Sequence, residues 1–218
     1  MGNLLPLTEL LTAREVGAQL HVSHETLERL ERYVEILLKW QCAINLIGHR
    51  TVKDIWRRHI LDCGQLKSQL TDTRGPVVDI GTGAGLPGLI LSILGIPDVY
   101  LVESDSRKCA FLREAIRITE CNATVLNTRV EEVKGLAATV VTARAVAPLN
   151  NLIKLSQFVS TPHTHLIFLK GKDFKYELTK LEKKWKMKLT VLPSLSSREG
   201  VILKLESLVR VDAASDRN

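Results

Sequence analysis

Residues 79–88 combine one acidic side chain, Asp79, with glycines at every second position from Gly81 to Gly85. An apolar run at 76–80 precedes this segment and a second at 86–94 follows it, which predicts a turn between a strand and a helix. Glycine in such a turn permits positive φ and lets a ligand approach the backbone closely. The segment is therefore typical of a site that binds a nucleoside.

The spacing of these glycines argues against two common nucleotide sites. The dinucleotide pattern Gly-x-Gly-x-x-Gly requires glycine where this chain has Leu86, and the next lysine of a phosphate-binding loop would be the distant Lys108. A carboxylate at Asp79 would repel a pyrophosphate but suits a cationic sulfonium and amino group. The pattern favours S-adenosylmethionine (SAM) as the cofactor, with candidate contacts at Asp79, Gly81, Gly83, Gly85 and Leu86.

A second acid, Glu103, ends the apolar run 98–103, about 20 residues after the glycines. That is the separation at which an acid holds the ribose hydroxyls of a nucleotide in such folds. A lone glycine-rich turn is often only a tight loop, and an acid at a strand end is often only solvated. Their coincidence makes Glu103 the candidate ribose ligand.

These residues need a scaffold, and the sequence beyond residue 75 supplies alternating apolar strands and amphipathic helices. The pattern predicts a mostly parallel sheet with helices on both faces. The runs 189–192 and 201–205 are predicted to be antiparallel neighbours that close the sheet with a reversed edge strand. The predicted strands are 76–80, 98–103, 124–128, 139–143 and 165–170, and the predicted helices are 86–94, 106–118, 149–158 and 173–186. Ligands bind beyond the carboxyl ends of such strands, where every candidate residue falls.

Residues 8–71 show a helical pattern, with a cap at Ser23 and a further helix opening near Thr51. We therefore predict a helical extension at 1–74, an α/β domain at 75–208 and a frayed polar tail at 209–218. The second helix carries Arg57 and Arg58, which either contact a polyanion or only solvate a helix face. Lys170, after the fifth strand, is a candidate for the same contact.

Composition narrows the class of protein. The chain has 218 residues, 45% of them hydrophobic, a net charge of +6 and a pI near 9.2, which favour a globular domain with a polyanionic partner. The four cysteines are too dispersed for paired metal ligands, so we expect no metal and reduced thiols. No run of about 18 apolar residues and no secretory signal occur, so we expect a cytoplasmic protein without a membrane span.

Several separated segments together resemble the ribosomal RNA small subunit methyltransferase G family, also called glucose-inhibited division protein B. The segments are Lys39-Trp40 with Asn45-Leu46, Arg58-His59-Ile60-Leu61-Asp62, residues 79–88, Arg129-Val130-Glu131-Glu132, Arg144-Ala145 and Leu169-Lys170-Gly171. The resemblance implies a Rossmann-like class I SAM-dependent methyltransferase with a seven-stranded sheet. It further implies methylation of guanine 527 at N7 in the 16S ribosomal RNA of the small ribosomal subunit. We expect a monomer.

The resemblance also implies roles for individual residues. Gly81 and Leu86 would contact the cofactor, Val130 and Glu131 would frame its adenine, and Arg144 would reach into the site. Cys63 stands where the family has serine, which affects only a role that needs a hydroxyl. His59, close to Asp62, is interpreted as a structural hydrogen-bonding group rather than an acid or base.

The chemistry of guanine N7 explains why no catalytic dyad stands out in the sequence. N7 is a lone-pair acceptor without a proton, so its attack on a methyl group needs no general base. Catalysis would depend on alignment and on donors that hold the base, for which Arg144 is the best candidate. Its guanidinium could contact guanine O6, contact a phosphate, or pair with a buried acid such as Asp79 or Glu131.

Three other functions stay open from the sequence. A nicotinamide-dependent oxidoreductase would share the fold, although Leu86 and Asp79 argue against it. A non-catalytic RNA-binding or ribosome assembly factor could retain a methyltransferase fold without activity. A small-molecule methyltransferase would usually have an apolar cap, whereas the N-terminal region of this chain carries Arg50, Arg57 and Arg58.

Overall fold

A computed structural model describes residues 9–70 and 73–211. Within these residues, seven strands form one sheet in the order β3-β2-β1-β4-β5-β7-β6. The strands are β1 Val77–Ile80, β2 Val99–Glu103, β3 Ala123–Asn127, β4 Ala138–Arg144, β5 Ser160–Lys170, β6 Trp185–Pro193 and β7 Val201–Arg210. Strands β1 to β5 are parallel to one another, and β7 is antiparallel to both of its neighbours, β5 and β6.

Seven α-helices and several tighter or wider helical turns surround this sheet in the described part of the chain. The α-helices are α1 Ala13–Gln19, α2 His24–Gln41, α3 Asp62–Gly64, α4 Gly88–Ile93, α5 Ser106–Thr119, α6 Leu149–Ser156 and α7 Phe174–Glu182. A 3-10 helix at His49–Asp54, a π-helix at Trp56–Leu61 and a 3-10 helix at Gln65–Gln69 flank α3. We call residues 49–69 the 49–69 segment. Four of its residues, Thr51, Arg58, His59 and Asp62, line a cleft at the carboxyl ends of the strands.

The parallel strands were predicted correctly, but the position of the reversed strand was not. The reversed strand β7 lies between β5 and β6, and β6 forms the edge. Buried Ile202, Leu203 and Leu205 give β7 the apolar character of an inner strand. The edge strand β6 instead alternates mostly half-buried with exposed positions and exposes Lys186 and Lys188, which protect a free edge from pairing with another chain.

Several boundaries also differ from the prediction, and β5 begins at Ser160 rather than at 165. Helix α7 ends at Glu182, because Trp185 is buried in the core and begins β6. Strand β7 continues to Arg210, past the predicted boundary at 208, because Arg210 pairs with Trp185. The 49–69 segment starts at His49 rather than at a cap on Thr51. The predicted cap at Ser23 is confirmed, since its hydroxyl accepts a hydrogen bond from the Thr26 amide.

The helical extension packs directly on the sheet domain. Helix α2 lies against α4 and α5, and its buried Tyr33 donates a hydrogen bond of 2.7 Å to the carbonyl of Ala84 in the glycine-rich turn. Trp40 on the same helix meets Phe111 of α5 edge to face. The extension therefore supports the turn from behind and shares one hydrophobic core with it.

Candidate active site

A cleft of about 680 Å³ opens at the carboxyl ends of the parallel strands. That volume is in the range of small-ligand and cofactor sites. The glycine-rich turn at 81–86, the ends of β2, β4 and β5, the 49–69 segment and the β6–β7 turn form its walls. The sequence prediction that ligand-binding residues converge at these strand ends is consistent with this placement.

Gly81 and Gly83 line the cleft in conformations that favour glycine. Their φ angles are 62° and 57°, in the left-handed region. A Cβ on Gly81 would lie 2.9 Å from the methyl groups of Val146, whereas a Cβ on Gly83 would meet nothing closer than 4.0 Å. The turn therefore offers bare backbone to a ligand at Gly83, while Val146 lies against Gly81. Leu86 lines the same cleft from the end of the turn.

Gly85 has a different role from the predicted cofactor contact. It does not line the cleft, and a Cβ there would lie 2.5 Å from Cβ of Leu89 and 3.1 Å from a methyl group of Leu112. Its φ of 83° adds to the requirement for glycine. Gly85 lets the turn pack on α4 and α5, so we correct its assignment to a structural one.

Asp79 is likewise buried beneath the turn rather than exposed to a cofactor. Its carboxylate is fully buried and accepts hydrogen bonds from the Gly88 amide at 2.9 Å, the Thr142 hydroxyl at 2.9 Å and the Thr82 hydroxyl. Burial raises the pKa of Asp79 from its ordinary value of 3.8 to about 6, although the three hydrogen bonds oppose that rise. The predicted contact with a sulfonium is corrected. Asp79 fixes both ends of the turn to β4.

Glu103 meets the geometric requirement of a ribose ligand. It ends β2, lines the cleft, and accepts hydrogen bonds from the Gly83 amide at 3.0 Å and the Asp105 amide at 2.8 Å. A carboxylate has about four lone-pair sites, so each oxygen can accept a further hydrogen bond from a hydroxyl. The amide of Gly83 thus holds Glu103 in place beside the part of the turn where no side chain covers the backbone.

Val130 and Glu131 form part of a 3-10 turn after β3, outside the lining of the cleft. Val130 is buried in a second hydrophobic core, separate from the one that contains residues of α2, α4 and α5. Glu131 is exposed. Their contact with an adenine stays a prediction.

Arg144 ends β4 and reaches across to the 49–69 segment. Its Nη1 donates to the Arg58 carbonyl at 2.9 Å and to Oδ2 of Asp62 at 3.1 Å, and its Nη2 lies 2.7 Å from Nδ1 of His59. A guanidinium has five N–H groups, and these contacts use three. Among the residues that the structure describes, no partner is present for the other two. Arg144 also lines the cleft. Its acidic partner is Asp62 rather than Asp79 or Glu131.

His59 is neutral in this setting. Burial and the nearby cations Arg144 and Arg58 lower its pKa from 6.5 to about 3. Its Nε2 lies 2.8 Å from the Thr51 hydroxyl, and that hydroxyl donates to the Gly48 carbonyl at 2.7 Å. The interpretation of His59 as a hydrogen-bonding group agrees with these contacts.

Asp62 connects three elements of the site. One carboxylate oxygen pairs with Arg144, and the other accepts hydrogen bonds from Ser196 in the β6–β7 turn and from Gln65. Gln65 in turn binds Ser194 and the Leu195 amide. No local pattern in the sequence indicates this link, because its members lie about 130 residues apart.

Arg57 and Lys170, two of the residues predicted to contact the substrate, already bind other groups of the protein. Arg57 is only 2% exposed, donates to the Glu9 carbonyl at 2.6 Å and pairs with Asp54 at 3.7 Å. It does not lie on a basic surface, so its assignment is corrected. The adjacent Arg58 is exposed and lines the cleft, where a polyanion could reach it.

Lys170 lines the cleft, but its ammonium already has protein partners. It pairs with Glu177 of α7 at 2.8 Å and donates to the Ala147 carbonyl at 3.3 Å. The same Glu177 oxygen accepts from the Leu149 amide at the start of α6. Lys170 therefore holds the loop after Arg144, and its contact with a phosphate stays a prediction.

Within residues 9–70 and 73–211, no group of three or more His, Cys, Asp or Glu side chains is arranged to hold a metal ion. No helix in this part of the chain is both long and apolar enough to cross a membrane. The four cysteines, all within it, are free thiols.

The glycine-rich turn can be tested by a small change. Gly81→Ala is expected to weaken binding of S-adenosylhomocysteine by about tenfold, because a left-handed conformation costs alanine roughly 1–2 kcal/mol and its Cβ displaces Val146. Isothermal titration calorimetry measures the change. Gly95→Ala, also at positive φ but in open space, is the matched control and should leave affinity unchanged. Equal effects of both variants would remove the turn from the cofactor site.

Comparison with solved structures shows the fold. The structure is similar to a ribosomal protein L11 methylase from Lactobacillus delbrueckii subsp. bulgaricus, with a TM-score of 0.54 and 14% identity, covering 76% of this chain and 81% of that one. It is also similar to the glycopeptide N-methyltransferase MtfA in complex with SAM, with a TM-score of 0.54 and 9% identity, over 67% of this chain and 93% of that one. The seven-stranded class I SAM-dependent methyltransferase fold is confirmed.

Comparison of sequences is more specific. A relative from Paramagnetospirillum magneticum, named ribosomal RNA small subunit methyltransferase G, is 49% identical over 87% of this chain and 92% of its own length. A protein of the same name from Rhodospirillum rubrum is 42% identical over 92% of this chain and its whole length. The family model described as rRNA small subunit methyltransferase G matches residues 26–202. This chain therefore belongs to the rRNA small subunit methyltransferase G family.

Proposed function

We propose that this protein transfers a methyl group from SAM to N7 of a guanine in the 16S ribosomal RNA of the small ribosomal subunit. The observation that carries the proposal is the position of Arg144. It lines the same cleft as the glycine-rich turn and Glu103, and it keeps two N–H groups free of protein partners among the described residues. Family membership and the names of the relatives support ribosomal RNA as the substrate.

The cleft has the features that SAM requires. The bare backbone at Gly83 and the carboxylate of Glu103, joined by a hydrogen bond, suit the nucleoside, and Leu86 offers an apolar surface beside them. The relation to MtfA, a structure of which contains SAM, supports the same cofactor. When bound, SAM supplies an electrophilic methyl group on a sulfonium.

The residues of the cleft fit a target atom that carries no proton. Among the described residues lining the cleft, the one imidazole is His59, and both of its nitrogens are engaged. An amino group or a carbon would require proton removal, whereas guanine N7 attacks with its lone pair. The protein then contributes alignment of the base and donors that hold it.

Arg144 would hold the base through guanine O6. An arginine usually reads guanine by donating to both O6 and N7, but a donor on N7 would occupy the lone pair that attacks. The two remaining N–H groups of Arg144 are therefore assigned to O6 and to a neighbouring oxygen of the RNA. Asp62, 3.1 Å away, compensates the charge of Arg144, which favours a step that leaves positive charge on the guanine.

The decisive experiment is transfer of labelled methyl from SAM to small ribosomal subunits that lack the modification, followed by mass spectrometry of the nucleosides. We expect label in 7-methylguanosine, and none with subunits that already carry the modification. Label in another nucleoside would change the target atom. Binding of S-adenosylhomocysteine without transfer to any RNA would instead favour the assembly-factor function. A ribosomal RNA substrate also implies action in the cytoplasm, and we propose that the protein acts as a monomer.

The exposed position of Arg58 in the cleft gives a second prediction. Arg58→Glu is expected to weaken binding to the target RNA and to reduce the slope of log affinity against log salt by about 1, because one phosphate contact is lost. Arg113→Glu, also exposed but outside the cleft on α5, is the control with the same change in charge. Filter binding at several salt concentrations measures both. An equal slope in the two variants would show that Arg58 only solvates its surface.

A further inference from the structure

The acceptors that hold Arg144 all belong to the 49–69 segment of the helical extension. They are the Arg58 carbonyl, the Asp62 carboxylate and Nδ1 of His59. The class I fold supplies Arg144 from β4, but its orientation depends on this added segment. The extension is thus part of the active site and not only a cap over it.

The hydrogen bonds determine which nitrogen of His59 carries the proton. The Thr51 hydroxyl donates its one hydrogen to the Gly48 carbonyl at 2.7 Å, so toward His59 it can only accept. Nε2 must therefore be the protonated nitrogen, 2.8 Å from Thr51. Nδ1 keeps its lone pair and accepts from Nη2 of Arg144 at 2.7 Å. A chain of donors runs from Arg144 through His59 and Thr51 to Gly48.

We propose that His59 is a positioning residue for methyl transfer, which as the neutral Nε2–H tautomer fixes the guanidinium of Arg144 and leaves its other N–H groups to the guanine. The proposal rests on the function proposed above. It assigns Thr51 the role of selecting the tautomer, although Thr51 has no hydrogen bond to Arg144.

Charge explains why a neutral acceptor is required at this position. The charged groups that act on His59 are Arg144 from β4 and Arg58 from its own segment. An imidazolium would place a second cation 2.7 Å from Arg144 and would lose the acceptor. With His59 neutral, Arg144 and Asp62 form a compensated pair beside a base that becomes cationic during the reaction.

Four variants test this role by steady-state methyl transfer to unmodified small subunits. His59→Leu should lower kcat by about 100-fold, the loss typical of a misplaced catalytic group. His59→Asn keeps an acceptor near the position of Nδ1 and should recover kcat to within about tenfold of wild type. Thr51→Val, which removes only the hydroxyl, should lower kcat by about fivefold, and Thr51→Ser should lower it by less than about twofold. KM for SAM should stay within about threefold in all four.

Nuclear magnetic resonance observes the tautomer directly. In protein with ¹⁵N-labelled histidine, the signal lost in His59→Asn should report a protonated Nε2 and an unprotonated Nδ1 that do not titrate between about pH 5 and 8. A protonated Nδ1 at pH 7 would overturn the proposal. So would equal rates for Thr51→Val and Thr51→Ser, or equal losses of kcat in His59→Leu and His59→Asn. These readouts remain informative even where His59→Leu does not fold.

The same assay separates failure of this inference from failure of the proposed function. If Arg144→Ala is inactive and His59→Leu is as active as wild type, Arg144 acts without help from His59 and only the inference fails. If wild-type protein transfers no methyl group to RNA, the proposed function fails. In that event nuclear magnetic resonance still reports the tautomer of His59. A protonated Nδ1 would then show that His59 cannot accept the hydrogen bond from Arg144.

Discussion

Arg144→Ala is expected to lower the rate of methyl transfer to small subunits by about 10²–10³-fold. Arg144 is the donor proposed to hold the guanine by O6, and loss of one preorganised donor to a reacting group has effects of this size. The family resemblance also gives Arg144 a cofactor contact, so the affinity for S-adenosylhomocysteine is expected to fall as well. The loss in rate should exceed the loss in affinity by at least about tenfold, as measured by single-turnover kinetics and calorimetry.

Truncation of Arg144 also leaves Asp62 as a poorly compensated, mostly buried carboxylate, which could lower activity by destabilising the protein. The double variant Arg144→Ala with Asp62→Asn removes that charge and should recover stability without recovering activity. Arg144→Lys keeps a cation for Asp62 but cannot reproduce the planar fork that binds Asp62, the Arg58 carbonyl and His59 together. It should fold and stay at least about tenfold slow. Wild-type rates in any of these three variants would remove Arg144 from the mechanism.

The sequence predicted where the site lies better than what each residue does there. The parallel strands, the turn at 81–86 and Glu103 follow from local patterns, namely apolar periodicity and glycine spacing, and the structure places them as expected. Arg57 and Arg58 show the limit of such patterns. They are neighbours of the same type, but one is buried against Glu9 and Asp54 and the other is exposed in the cleft. Only the packing of the 49–69 segment decides between them.

Partners supplied by other elements explain the other differences. Lys170 could not be assigned from its position at a strand end, because its partner Glu177 is supplied by the following helix. Asp79 has the spacing of a cofactor ligand, yet Thr142 of β4 and Gly88 satisfy its oxygens from within the core. The order of β6 and β7 was missed for a similar reason. An antiparallel pair can add to a sheet by either strand, and burial against β5 selects β7.

Asp79→Ala is expected to lower the free energy of unfolding by about 3 kcal/mol at pH 7 and to abolish measurable binding of S-adenosylhomocysteine. The variant leaves the buried Gly88 amide and the Thr82 and Thr142 hydroxyls without their acceptor, and each orphaned donor costs roughly 1–3 kcal/mol before relaxation. The turn is then no longer fixed to β4. Urea denaturation and calorimetry measure the two effects, and Asp105→Ala, which removes a half-buried helix cap, is the control for loss of a carboxylate.

The raised pKa of Asp79 predicts the direction in which the free energy of unfolding changes with pH. Its pKa is about 6 in the folded protein and 3.8 ordinarily, so between these values the folded state binds more protons and stability from this group rises as the pH falls. Asp79→Asn cannot titrate, so wild type should gain ~2 kcal/mol relative to it between pH 7 and pH 4. His59, with its pKa lowered to about 3, acts in the opposite direction, because the unfolded state takes up its proton first as the pH falls through 6.5. That contribution is common to both proteins and cancels in the difference. A difference in unfolding free energy that stays constant with pH would mean that Asp79 keeps its ordinary pKa in the folded protein.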